Sequence, residues 1–103
     1  MDIGEALIAA QKYVDRVSKK YQLVQAFVFG SYAKGNYHAN SDIDVAIVLK
    51  NVPNLFDVQI ELMHLRKDDD LQIEPHPFRD TDFNTDCPLV YEILQAGMKL
   101  KIA

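Results

Sequence analysis

Phe29-Gly30-Ser31-Tyr32-Ala33-Lys34-Gly35-Asn36-Tyr37-His38-Ala39-Asn40-Ser41-Asp42-Ile43-Asp44-Val45-Ala46-Ile47-Val48 joins two apolar runs through a polar connection. The first run, Leu23 to Phe29, is rich in β-branched and aromatic residues and predicts a buried strand ending at Gly30. The second, Asp42 to Leu49, alternates: Ile43, Val45, Ile47 and Leu49 share one face, and Asp42, Asp44, Ala46 and Val48 the other. Ten residues separate Ser31 from Asp42. A glycine lets a phosphate approach the backbone closely, and N–H groups there can hold it. Two carboxylates at i and i+2 on a strand point to the same face, as a shared divalent cation requires. Together these are the parts of a metal-assisted phosphoryl or nucleotidyl transfer site. An Asp-x-Asp alone would suit an Asx-type turn at a strand start; its coupling to Gly30-Ser31 favours chemistry.

Working outward, residues 3–21 predict an amphipathic helix. Ile3, Leu7, Ala10, Val14, Val17 and Tyr21 recur at helical spacing, and Gln11, Lys12, Asp15, Arg16, Lys19 and Lys20 take the other face. Ser31 to Lys34 suits one helical turn, broken by Gly35-Asn36. Lys50 to Asn54 reads as a turn, and a second long helix is expected over 54–67, with Asn54 as N-cap and Leu55, Val58, Leu62 and Leu65 inward. Asp68-Asp69-Asp70 would oppose the dipole at a helix C-terminus, so the helix should end before it, in a solvated turn. Leu71 to Pro75 predicts a third strand, ended by Pro75 and Pro77, with 76–87 a polar loop that has room for a helical turn. Pro88 opens a last helix to Ala96, capped by Gly97. Met98 to Ile102 alternates as a short edge strand with its lysines in solvent. The order α-β-(turn)-β-α-β-α-β fits an α/β (α+β) architecture, a mixed β-sheet with helices packed on it.

At 103 residues the chain is expected to form a single domain, 1–103, with one hydrophobic core. Its 49% hydrophobic and 25% charged residues are ordinary for a soluble globular protein. No apolar run approaches the ~18–20 residues of a membrane span. Met1-Asp2-Ile3-Gly4-Glu5 has neither the basic nor the apolar region of a signal peptide, so a cytoplasmic protein is expected. A single cysteine, Cys87, excludes an internal disulfide framework and a cysteine zinc site. A net charge of −4, with scattered lysines and arginines, argues against a DNA or RNA template.

The Gly30-Ser31 turn, the spacer and Asp42-Ile43-Asp44, with Ala33, Gly35 and Ser41 as usual fill, resemble the nucleotidyltransferases of the DNA polymerase β superfamily. The short chain is similar to the minimal nucleotidyltransferases (MNT), the antitoxin components of HEPN/MNT-type toxin–antitoxin systems. The resemblance implies the nucleotidyltransferase (polymerase β-like) fold. It also implies Mg²⁺, in a two-metal site, with ATP as substrate. Asp42 and Asp44 would be catalytic metal ligands, and Gly30 and Ser31 would bind the nucleotide phosphates. The family's third carboxylate falls best on Glu74, near the end of the third strand; Asp70 shares its strand parity and is the competitor. The implied reaction moves AMP to a hydroxyl, most naturally a tyrosine of a partner HEPN-type toxin. Two other readings stay open: an antitoxin acting by binding alone, and a small-molecule nucleotidyltransferase acting as a homodimer. The base, the acceptor and the oligomeric state are not written in the motif.

Lesser candidates are weaker. Lys34 could reach a triphosphate but reads more simply as an exposed lysine. Tyr37 and His38 lie in the spacer and suit either the entrance of the site or a surface loop. His64 sits on the second helix, and His76 and Arg79 follow Glu74 closely enough to reach the site mouth. No histidine pair has metal-ligand spacing backed by a third ligand, so zinc is not expected.

Overall fold

Asp2 and Glu5 start the first helix by capping each other. The Asp2 carboxylate accepts from the Glu5 N–H at 2.8 Å, and the Glu5 carboxylate accepts from the Asp2 N–H at 3.1 Å. The computed structural model describes residues 1–67 and 71–102. Among these, α1 spans Ile3–Val17, β1 Gln22–Phe29, α2 Ser31–Lys34, β2 Ile43–Lys50, α3 Leu55–His64, β3 Ile73–Arg79, α4 Pro88–Ala96 and β4 Met98–Lys99. A single 3₁₀ turn, Asp80–Asp82, follows β3. The strands form one mixed sheet in the order β3-β2-β1-β4; β1 runs antiparallel to β2 and β4, and β2 parallel to β3. The crossover from β2 to β3 is α3, the helix that a parallel pair requires.

Strand parity divides the core in two. Val28, Val45, Ile47, Leu49 and Ile73 face α1 and α3, where Ala6, Ala10, Val14, Val17, Val58 and Leu62 cover them. Tyr13 is fully buried in this layer, and its hydroxyl donates to the Leu62 carbonyl, as a buried phenol must. On the opposite face a smaller cluster gathers Phe27, Phe29 and Ala46 under Ile93 of α4, with Phe78 and Phe83 packed against it. That second face is only partly covered, and it carries the polar residues described below.

Several boundaries differ from expectation for physical reasons. The first helix ends at Val17 rather than Tyr21. Lys20 and Tyr21 still donate to the Val17 carbonyl, at 2.9 and 3.1 Å, but as a turn that delivers Gln22 to its pairing with Lys50. The second long helix ends at His64, with Leu65 as its cap, not at residue 67. Gly97 does close α4, but in extended backbone (φ −70°, ψ 154°) rather than the left-handed conformation usual for a glycine cap. It is required by space, since a Cβ there would meet the Ile93 carbonyl oxygen at 2.4 Å.

The largest correction concerns β3, which runs through Pro75 and Pro77 to Arg79, into the segment expected to be loop. The Gln72 carbonyl points at β2 and accepts from the Ile43 N–H at 2.7 Å. Backbone groups alternate sides along a strand, so residues 73, 75 and 77 face away from β2. There the missing N–H of a proline removes no ladder bond. The expected turn at residues 68–70 lies outside the described residues.

Candidate active site

The site grows from three cross-strand neighbours. Phe29 pairs with Asp44 on β2, and Asp44 pairs with Glu74 on β3, so both carboxylates lie in one row on the partly covered face. The chain leaves β1 at Gly30 with φ 73° and ψ −145°, a conformation that L side chains rarely adopt. Space makes the same demand, because a Cβ at Gly30 would stand 2.3 Å from the Asp44 Oδ2. Ser31 then opens α2. The buried Tyr32 donates from its hydroxyl to the Met1 carbonyl at 3.1 Å and stacks on Tyr37 with ring centroids 4.3 Å apart. Burial, reinforced by neighbouring Tyr37, Glu5 and Asp2, pushes the Tyr32 phenol up, which keeps it a neutral donor.

The far end of the connection is folded just as closely. The buried Ser41 accepts from the His38 N–H at 2.8 Å through Oγ, and its own N–H donates to the His38 carbonyl at 3.0 Å. Gln72, just ahead of β3, donates to the Ala39 and Ser41 carbonyls at 3.1 and 3.2 Å. These bonds tie the connection to the third strand and set Asp42 one residue before β2. The result is an open cleft of about 480 Å³ lined by Ser31, Asn36, His38, Asp42, Asp44 and Glu74, among others.

Within it, Asp44, Glu74 and His76 each offer a metal-ligating atom, all within 4.8 Å of one another. His76 Nε2 lies 3.1 Å from Asp44 Oδ1, and the ring meets Phe29 edge-on at 5.0 Å. Two carboxylates opposite each other on adjacent strands repel, and a cation between them removes that cost. The donors present therefore fit a divalent ion. Asp42 is exposed on the same cleft, one residue before β2 begins, and lies outside this group of three. His76 was visible in sequence only as a residue near the mouth; its contact with Asp44 depends on the register of β3 against β2. Asp70, the competing carboxylate, lies outside the described residues.

The remaining candidates fall elsewhere. Lys34 is paired with Glu92 of α4. Arg79 sits at the opposite end of β3, donating to the Val52 and Pro53 carbonyls at 3.1 and 3.2 Å, beside a second cavity of about 440 Å³. His64 ends α3, which packs on the other face of the sheet. Among the described residues, no helix is long and apolar enough to cross a membrane.

Comparison with known proteins agrees with this fold. A protein of Methanocaldococcus jannaschii named "Putative protein adenylyltransferase MJ0141" is 37% identical over 59 residues, 57% of this chain and 59% of that protein. The match thus spans less than two thirds of the curated relative. A crystal structure from Sulfolobus solfataricus described as a "putative nucleotidyltransferase" superposes with a TM-score of 0.65 at 24% identity, over 77% of this chain and 71% of the other. A chain from a mutant of the toxin–antitoxin MntA–HpeT superposes with a TM-score of 0.60 at 19% identity, over 91% and 73%. At these identities both structures speak to the fold. The family model for the nucleotidyltransferase domain matches residues 10–93, most of the chain, and by that match the chain belongs to the nucleotidyltransferase domain family.

Proposed function

We propose that this protein transfers AMP from ATP to a hydroxyl acceptor in a Mg²⁺-dependent reaction, the acceptor being a tyrosine of a partner HEPN-type toxin. The observation that carries the chemistry is the packing of Gly30 against Asp44, with Glu74 in register beside it. That contact leaves backbone and carboxylate side by side at the cleft, where a triphosphate and its counter-ion would have to meet. The protein-acceptor half of the reading draws on the adenylyltransferase name of the archaeal relative. The toxin half draws on the fold shared with a chain of MntA–HpeT. Residues 1–103 would act as one catalytic domain.

In the reaction, the acceptor oxygen forms a bond to the α-phosphorus while the bond to pyrophosphate breaks and the acceptor loses its proton. Bound divalent ions supply Lewis acidity for this step and offset the charge of the departing pyrophosphate. Asp42, Asp44 and Glu74 would hold them, as carboxylates suit Mg²⁺ together with substrate oxygens and water. Gly30 would leave the backbone open to the phosphates, and Ser31, which lines the cleft, would donate to them through its hydroxyl. The buried Tyr32 and Ser41 keep both ends of the connection fixed, so its donors are oriented before the nucleotide arrives.

The test is incubation with α-labelled ATP and Mg²⁺ in lysate of the source cells, with Asp44→Asn as control. Label is expected on a discrete protein band, reduced about a hundredfold or more in the variant. Label of equal strength in both, or none in either, would overturn the assignment. Label confined to small molecules would overturn the protein acceptor and leave the transfer chemistry.

A further inference from the structure

We infer that His76 is a ligand to the cleft's cation beside Asp44 and Glu74, and that it tunes the site toward nitrogen-accepting ions, Mn²⁺ and Co²⁺, over Mg²⁺. The inference rests on the proposed transfer site but concerns a residue that site did not use. His76 lies two residues after Glu74 on β3, hence on the same face, and pairs with Ala46 across the parallel ladder. The alanine methyl leaves the space over β2 clear, and the imidazole leans through it to reach Asp44, a residue two positions back along the neighbouring strand. Phe29 meets the ring edge-on at 5.0 Å and limits where it can go. The side chain is 31% exposed, so this is a half-buried histidine held by its neighbours.

Distances support shared ligation. Adjacent donors around an octahedral ion with bonds near 2.1 Å stand about 3 Å apart. His76 Nε2 and Asp44 Oδ1 are already 3.1 Å apart, the separation that two adjacent donors of such an ion keep. Glu74 completes the set within 4.8 Å, and its long exposed side chain can close the remaining gap. Mg²⁺ prefers oxygen throughout its shell, whereas imidazole suits first-row transition ions. A nitrogen in this set therefore shifts the preference among divalent ions while leaving the carboxylates to hold any of them.

The experiment uses the whole chain with Mn²⁺ and inorganic tripolyphosphate, a triphosphate without nitrogen, and reads electron spin echo modulation together with Mn²⁺ affinity and its competition by Mg²⁺. Nitrogen modulation is expected in the wild-type protein, absent in His76→Gln and retained in His38→Gln, which tests the cleft's other imidazole. Mn²⁺ affinity should fall about tenfold in His76→Gln, with Mg²⁺ affinity changing by no more than about twofold. Mn²⁺ bound without nitrogen modulation, or modulation unchanged in His76→Gln, would overturn the ligand and leave the transfer reading standing. Absence of bound Mn²⁺ under all these conditions would overturn both.

Discussion

Replacing Gly30 with alanine tests the contact on which the site is built. The backbone at φ 73°, ψ −145° lies in a region essentially confined to glycine, where any other residue costs about 1–3 kcal/mol. The new Cβ would also stand 2.3 Å from Asp44 Oδ2 and 3.2 Å from its Cγ. The first contact is impossible and the second tight, so the carboxylate must swing off its rotamer, adding about 0.5–1.5 kcal/mol. The sum, about 1.5–4.5 kcal/mol, is a large share of the roughly 5–15 kcal/mol that holds a domain together. It should lower Tm by roughly 10–20 °C, measurable by thermal or urea unfolding. Gly35→Ala is the control: Gly35 also has positive φ (81°), but a Cβ there meets nothing within 4 Å. That variant should lose only about 1–2 kcal/mol, the backbone cost alone. In an Asp44→Ala background the clash partner is gone, and Gly30→Ala should cost about 0.5–1.5 kcal/mol less than in the wild type. The reasoning is refuted if this coupling is zero within error, or if Gly30→Ala costs no more than Gly35→Ala.

Two further outcomes follow from contacts away from the cleft. The Tyr21 hydroxyl donates to Glu61, and burial together with that carboxylate pushes its pKa from 10.0 up to about 12. Below pH 10 both folded and unfolded chains keep this proton. Between about 10 and 12 the unfolded chain releases it first, so stability falls as pH rises through that window. Tyr21→Phe should flatten that part of the decline in unfolding experiments and remove one phenolate step near pH 12 from an absorbance titration. Asn54 accepts from the Phe56 and Asp57 N–H groups at 2.9 and 3.2 Å, so Asn54→Ala should cost about 1 kcal/mol in urea unfolding, most of it recovered by Asn54→Asp.

What could be read from sequence was set by range. The order of elements, the Asn54 cap and the strand β2 depend on local spacing, and a local pattern is enough to place them. The end of α1 is not legible, because Tyr21 keeps helical period with Val17 and Val14 while its actual position is decided by Glu61 on another helix and by strand pairing. The continuation of β3 is hidden in sequence because a proline ends a central strand but not an edge strand, and sequence does not say which strand is at the edge. Within the site, Gly30, Ser31, Asp42 and Asp44 stood out because they share one short stretch. His76 could not, since its meeting with Asp44 requires the register of two strands joined through a whole helix.

The outer margin of β3 has a consequence for assembly. An exposed strand margin ordinarily invites another chain to extend the sheet, through free donors and free acceptors in alternation. Here Pro75 and Pro77 present no donors on that side. Two of the strand's outward acceptors are occupied as well: Arg66 donates to the Ile73 carbonyl at 3.1 Å, and Gln59 donates to the Pro75 carbonyl at 3.0 Å. A foreign strand arriving there would lose four of the bonds that a regular edge offers. The protein can thus keep Glu74 and His76 on its outermost strand with less risk of that strand seeding aggregates.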